Sequence, residues 1–285
     1  MFTGTINING YMLDLSTPKV MGILNLTPDS FFEDSRMQTE KQVAQRVKQM
    51  LAEGADILDV GAYSSRPGAD NVSAEEEMRR LREGLTVLRK EAPDAIVSVD
   101  TFRADVARMC IEEYGVAIVN DISGGEMDNQ MFATIARARV PYIIMHMQGT
   151  PQDMQEAPHY ENVLKEVMLS MANKVEKLHE MLVNDIIIDP GFGFGKTLAH
   201  NFELMAHLDE FEVFELPVLV GVSRKSMIYK TLGISPQEAL NGSTVLHTIA
   251  LNKGANILRV HDVKEAVQAI KLWQSVRQYE YKNDK

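Results

Sequence analysis

In the stretch Ile186-Ile187-Ile188-Asp189-Pro190-Gly191-Phe192-Gly193-Phe194-Gly195-Lys196 an acid stands where an apolar run stops. Three β-branched residues favour a buried strand, and a carboxylate at the exit of such a strand is costly unless a donor meets it. Pro190 cannot donate to a sheet ladder, and glycines at alternate positions let the backbone turn sharply and approach a partner closely. That partner is either a protein donor, as when an aspartate holds a turn, or a ligand. The arrangement recurs. Polar groups follow apolar runs at Asn25, at Ser65 with Arg66, at Asp100, at Asn120, at Ser223 with Lys225, and at Arg259 with His261. Each has a plain local explanation: Asp100 could cap the following helix, Asp121 could fix a turn, and Arg66, before Pro67, could be solvated. Recurrence favours a shared one. Asp100, Asn120 and Asp189 offer carboxylate and amide edges, which suit a planar heterocycle with ring N–H and amino donors. Lys225 can meet the carbonyl edge of such a ring. Asn25, Arg259 and His261 suit phosphate oxygens, helped by the backbone N–H groups that open the last helix.

The elements that must position these groups alternate regularly. Apolar runs at residues 20–26, 57–60, 96–99, 117–119, 142–145, 186–188, 218–220 and 257–260 have strand character. Helical patterns separate several of them. One starts at a capping box of Thr39 and Gln42, another at Ser73 and Glu76. Others carry Val106, Met109 and Cys110, span about residues 129–138, or place Val163, Val167, Met171, Val175, Leu178 and Leu182 on one face. The last holds Val263, Ala266, Val267 and Ile270. Ahead of them, residues 1–16 form a hairpin turning at Asn9-Gly10, placed to plug the bottom of a barrel. Parallel strands with helical crossovers follow. Eight of them suggest an α/β fold closed as a single (β/α)8 TIM barrel, with a doubly wound open sheet as the alternative. One domain spans residues 1–285, with a polar tail at 279–285. In a barrel, all the loops named above meet at one face.

Composition narrows the function. The 285 residues carry 29 basic and 40 acidic groups, a formal charge of −11, so a general nucleic-acid or anionic-membrane surface is not expected. An anionic ligand needs a local cluster of cations. Cys110 is the single cysteine, which excludes an internal disulfide and a Cys metal cluster and reads as an inert core thiol. The N-terminal residues show no secretory signal, and no apolar run approaches the roughly 20 residues of a membrane span; a cytoplasmic location is expected. No HExxH or Gly-x-Ser-x-Gly motif occurs, and Gly191 to Lys196 has neither P-loop nor Rossmann spacing. The hard oxygen ligands present would suit Mg2+ held mostly by substrate phosphates.

At these residues the chain resembles the dihydropteroate synthases of the folate pathway. The likeness runs from Met21-Gly22-Ile23-Leu24-Asn25-Leu26-Thr27-Pro28-Asp29-Ser30-Phe31 through Ser98-Val99-Asp100-Thr101, Asn120-Asp121-Ile122-Ser123-Gly124-Gly125, His146-Met147-Gln148-Gly149-Thr150-Pro151, the stretch from Asp189 to Lys196, and Ser223-Arg224-Lys225-Ser226, to Arg259-Val260-His261-Asp262. The resemblance implies a TIM barrel that joins 6-hydroxymethyl-7,8-dihydropterin diphosphate to 4-aminobenzoate, yielding 7,8-dihydropteroate and diphosphate. It implies that Asp100, Asn120, Asp189 and Lys225 hold the pterin. Asn25, Arg259 and His261 hold the diphosphate, with Mg2+ at Asn25, and Ser65, Arg66, Pro67, Phe194 and Ser223 shape the aminobenzoate pocket. It assigns the catalytic work to Asp100, Lys225, Arg259 and Asn25, and it implies a homodimer inhibited by sulfonamides. The chain departs from the family's usual Gly-Glu-Ser-Thr-Arg-Pro-Gly at Gly61-Ala62-Tyr63-Ser64-Ser65-Arg66-Pro67-Gly68, and from its usual Ser-Asp-Gly-Gly at Phe32-Glu33-Asp34-Ser35. These changes bear on aminobenzoate affinity and inhibitor response. Two other readings are a pterin-binding domain of a corrinoid methyltransferase, which would not need the Ser223–Lys225 segment, the Arg66-Pro67 loop and the diphosphate group together, and a non-catalytic pterin-binding paralogue, whose signature would be losses at Asp100, Asp189, Lys225 or Arg259.

Overall fold

A computed structural model describes residue 2 and residues 4–26, 36–63 and 72–280. It opens with an antiparallel pair, β1 (Thr5–Ile8) and β2 (Tyr11–Asp14). The turn between them uses Asn9 at φ 50° and Gly10 at φ 89°, the pair of positive angles that lets a tight hairpin follow the twist of its strands. Eight parallel strands follow: β3 (Lys19–Asn25), β4 (Ile57–Gly61), β5 (Ile96–Asp100), β6 (Ile118–Asp121), β7 (Tyr142–Met145), β8 (Ile186–Asp189), β9 (Leu219–Val220) and β10 (Ile257–Val260). Their order is β8-β7-β6-β5-β4-β3-β10-β9. The two ends of that order meet, because Ile188 bridges Val218 in parallel and Ile188 N donates to Pro217 O at 2.9 Å. The sheet is a closed barrel, which excludes the open doubly wound alternative.

Around it, among the described residues, run α1 (Arg36–Glu53), α2 (Ala74–Glu91), α3 (Ala104–Tyr114), α4 (Met131–Ala138), α5 (Val163–Glu180), α6 (Leu198–Ala206), α7 (Ser226–Leu232), α8 (Leu240–Asn252) and α9 (Val263–Glu280). None is long and apolar enough to cross a membrane. Ser73 caps α2 as its sequence promised, accepting from Glu76 N, but the Glu76 carboxylate turns to Arg79 and Arg80 instead of closing the box. Helix α1 begins at Arg36, so Thr39 lies inside it and is not its cap. Asp100 does not cap α3 either: the first N–H of that helix, on Ala104, goes to Asp128 Oδ2 at 2.8 Å. Asp121 does fix its turn, accepting from Ser123 N and Gly125 N. Helix α9 takes in Tyr279 and Glu280 from the expected tail, and residues 281–285 lie outside the described set.

Strand side chains alternate between the barrel interior and the helical layer. At the bottom, Met21, Ile57, Ile118, Ile143, Ile187, Leu219 and Ile257 pack against Ile6, Ile8, Leu13 and Leu15 of the hairpin, which is therefore the plug. Two residues further along, on the same faces, stand Asp59, Asn120, Asp189 and Arg259. The interior changes from oil to charge within one repeat of the strand. Cys110 is fully buried between helices and strands, and burial pushes its thiol pKa well up, so it is the inert thiol expected.

Candidate active site

The centre of the mouth is Arg259, on β10. Its Nε donates to Asp59 Oδ2 and its Nη2 to Asp100 Oδ2, both at 2.6 Å. Asp59 comes from the middle of β4 and has no exposure; Asp100 ends β5. Asn120 on β6 joins the same knot, its Nδ2 donating to Asp59 Oδ2 at 3.1 Å. Small residues make room: a Cβ on Gly61, which ends β4, would stand 3.3 Å from Asp100 Cβ. Burial raises the Asp100 pKa to about 7 from an ordinary 3.8, although the Arg259 guanidinium pulls the other way.

The second half of the mouth is the loop after β8. Asp189 Oδ1 accepts from Gly191 N at 2.8 Å. The turn brings the backbone so close to the end of β7 that a Cβ on Gly191, at φ 74°, would lie 2.0 Å from His146 O. Lys196 closes the loop from inside. It is 3% exposed, and its Nζ donates to His146 O, Gly191 O and Phe194 O at 3.0 to 3.1 Å, with His146 Nδ1 also at 3.1 Å. Burial lowers the Lys196 pKa to about 7 and, reinforced by Lys196, that of His146 to about 3, so the imidazole is neutral. Lys225, the residue before α7, reaches across: its Nζ donates to Phe192 O and sits 4.5 Å from the centre of the Phe194 ring. Burial brings Lys225 down to about 8, against the attraction of Asp189, and raises Asp189, against the attraction of Lys225.

The two halves touch at Gly221, where a Cβ would lie 3.9 Å from both Arg259 Cβ and Lys225 Nζ. Ser223 is buried, and its Oγ accepts from His261 N at 3.2 Å and lies 3.1 Å from His261 Nδ1. Ser223, which the resemblance assigns to aminobenzoate, is thus also joined to His261. Asn25 ends β3 opposite Gly61. At and beyond the ends of β5, β6 and β7 a small apolar cluster forms from Phe102, Ile122, Met145, Met147 and Met154, with Tyr63 and Phe194 packed on it. Tyr63 meets Phe102 edge to face at 5.0 Å, and Arg103 lies over both rings.

The structure therefore gathers Asp100, Asn120, Asp189, Lys225, Arg259, Ser223, His261, Asn25 and Phe194 at one end of the barrel. Ser65, Arg66 and Pro67, like Phe32 to Ser35, fall outside the described residues. The sequence reading passed over Asp59 and Lys196. An acid inside the apolar run Ile57-Leu58-Asp59-Val60 was the available signal for the first. A cavity of about 520 Å³, lined by Lys174, Glu126, Tyr160 and His146 among others, adjoins the loop after β7 and is lined by none of Asn25, Asp100, Asn120, Asp189, Ser223, Lys225, Arg259 and His261. Lys174 there is already engaged with Ser123 O, Met145 O and Glu126.

The family model described as pterin binding enzyme matches residues 21–261. A dihydropteroate synthase of Escherichia coli is 42% identical over 265 residues, covering 92% of this chain and 93% of that one. One from Haemophilus influenzae is 40% identical, covering 94% and 97%. Among solved structures, a Yersinia pestis dihydropteroate synthase with a sulfonamide drug superposes with a TM-score of 0.89 at 39% identity, covering 96% and 99%.

Proposed function

The chain belongs to the pterin-binding enzyme family, and from that membership and the mouth just described we infer how it works as a dihydropteroate synthase. It is a transferase that condenses 6-hydroxymethyl-7,8-dihydropterin diphosphate with 4-aminobenzoate to give 7,8-dihydropteroate and diphosphate. The observation that supports our assignment of residues is the Arg259–Asp100 ion pair, which sets a phosphate-seeking cation directly beside a pterin-seeking acid. In this reading the bond between the methylene carbon and the diphosphate oxygen is held beside that pair.

Asp100, Asn120 and Asp189 accept the ring N–H and amino donors of the pterin, and Lys225 donates to its carbonyl edge. Arg259, His261 and Asn25 take the diphosphate. As the carbon–oxygen bond breaks, the electron pair leaves with diphosphate, and Arg259 stabilises the growing charge. The cation left on the methylene carbon spreads into the electron-rich pterin, and the Asp100 carboxylate faces it. The neutral amine of 4-aminobenzoate attacks that carbon and then passes its proton to the departing diphosphate. No strong base is needed; holding both partners and excluding water suffice. Phe194, Ser223, Ser65, Arg66 and Pro67 form the aminobenzoate side, which is also where a sulfonamide would compete.

Mg2+ fits this donor set. Among the described residues no group of three or more His, Cys, Asp and Glu side chains could hold a metal by itself, and Mg2+ is typically bound through few protein oxygens with substrate phosphates completing its shell. Asn25 would supply the protein oxygen, and the ion when bound would neutralise charge on the diphosphate. A homodimer and a cytoplasmic location are carried over from the family resemblance as part of this reading. Exposed apolar side chains on the packed helices α8 and α9, Val245 and Ile249 of the first and Leu272 and Val276 of the second, support the dimer. The deciding experiment mixes purified protein, Mg2+, the pterin diphosphate and labelled 4-aminobenzoate. Label in pteroate is the expected result, and its absence refutes the reading.

A further inference from the structure

We propose that Asp59 is a positioning residue that couples the pterin-holding and diphosphate-holding halves of the site, by fixing the orientation of Asn120 and of Arg259 through one carboxylate oxygen. The proposal rests on the assignment of Asn120 to pterin and Arg259 to diphosphate made above.

Asp59 Oδ2 accepts from both residues, from Arg259 Nε at 2.6 Å and from Asn120 Nδ2 at 3.1 Å. An amide flipped end for end would set its carbonyl oxygen against the carboxylate, so Asp59 decides which end of Asn120 points away from it, toward a ligand. At Arg259 the two acids take Nε and Nη2. A guanidinium gripped at those two nitrogens cannot rotate, and its remaining Nη1 end is aimed. One acid thereby sets the hydrogen-bond pattern shown to the heterocycle and the direction of the cation shown to the phosphates.

Fold stability alone does not account for an acid here. Asp59 is fully buried, and its other oxygen, Oδ1, has no hydrogen-bond partner among the described residues. The same is true of Ser98 Oγ, on the residue that faces Asp59 in the strand register. Buried polar atoms left without partners cost stability, and a buried ion pair is often no more stable than apolar residues of the same volume. Asp59 is not offered as a group that touches substrate.

The test measures affinity for 6-hydroxymethylpterin and for inorganic diphosphate separately, by calorimetry, in the wild type and in Asp59→Asn. Both are expected to weaken at least tenfold. The comparison is repeated on Asn120→Ala and Arg259→Ala backgrounds. Added to Asn120→Ala, the Asp59 change should cost pterin affinity less than twofold more, and added to Arg259→Ala the same holds for diphosphate, because Asp59 acts through those residues. In turnover, Asp59→Asn should raise KM for the pterin diphosphate and leave KM for 4-aminobenzoate within twofold, a split that general loosening of the fold would not give. If either ligand binds Asp59→Asn as it does the wild type, or if the losses add fully on the two backgrounds, the proposal is overturned. If Asn120→Ala keeps pterin affinity or Arg259→Ala keeps diphosphate affinity, the underlying assignment has failed instead. Should Asp59→Asn not fold, Asp59→Glu keeps the charge but displaces the oxygen, and the same KM split, or its absence, decides.

Discussion

At the residue scale, the chemistry depends on charges kept out of water. Asp189 is buried, Lys225 is half-buried, and the two attract each other. In the reading above each also meets the pterin, and a hydrogen bond to a charged group is worth about 1.5–3 kcal/mol. Lys225→Ala and Asp189→Asn should therefore each weaken pterin binding by about tenfold or more, measured by calorimetry with 6-hydroxymethylpterin; near-normal affinity in either would refute the roles given. The same burial sets the pH dependence. Asp100 must be ionised and Lys225 protonated. With Asp100 raised to about 7 and Lys225 lowered to about 8, kcat/KM should rise through the first value and fall through the second, giving a narrow bell for the free enzyme. For stability the sign at Asp100 is the reverse of the usual carboxylate. Its folded pKa lies above its unfolded one, so its contribution is fully present below about pH 4 and is lost as pH rises through about 7. Most of these groups were legible in the sequence because each ends an apolar run. Asp59 was not, since it sits inside one, and only its partners from β6 and β10 explain its tolerance there.

At the scale of elements, the loop after β8 shows what sequence conveys and what it hides. The acid, the proline and the alternating glycines announced a sharp turn close to a neighbour. The neighbour proved to be the end of β7. The residue that holds the turn, Lys196, ends a stretch without P-loop spacing and has no role legible in the sequence; only the folded chain shows three carbonyls converging on its ammonium. Lys196→Met would strip donors from those buried carbonyls at about 1–3 kcal/mol each. A drop in thermal midpoint of many degrees, with pterin affinity lost in parallel, is the expected outcome of calorimetric melting; an unchanged midpoint would assign the loop's order to the glycines alone. Length alone did not decide which helices were legible: α4, with 8 residues, was, and α8, with 13, was not. The segments that became α6 and α7, 9 and 7 residues long, left too few turns for a periodic pattern to declare itself. At α1 the expected capping box was misleading because Thr39 and Gln42 have the right spacing but lie within a helix that has already begun.

At the scale of the molecule, counting strands suggested eight but could not tell a ring from a ribbon. Closure rests on one bridge from Ile188 to Val218, next to the shortest strand, β9, with 2 residues. No sequence pattern specifies such a contact, because it depends on the register of the whole sheet. The hairpin plug was legible from Asn9-Gly10, and its packing predicts a clean separation of stability from catalysis. Leu13→Asp buries a charge against the floor and should lower the thermal midpoint strongly while leaving KM values of the surviving folded enzyme unchanged. The proposed dimer is tested by Ile249→Asp: light scattering should report a shift from dimer toward monomer, and an unaltered mass would move the interface elsewhere.

Asn256 has a consequence for how such a chain can be made. It is wholly buried, its Nδ2 donates to Phe2 O and Leu15 O, and its Oδ1 accepts from Val218 N. Phe2 and Leu15 are thus fastened by a residue that is synthesised 254 and 241 positions after them. A nascent chain halted before residue 256 would have its opening segment untied however much of the ring had formed, and proteolysis of such stalled chains should cut there first.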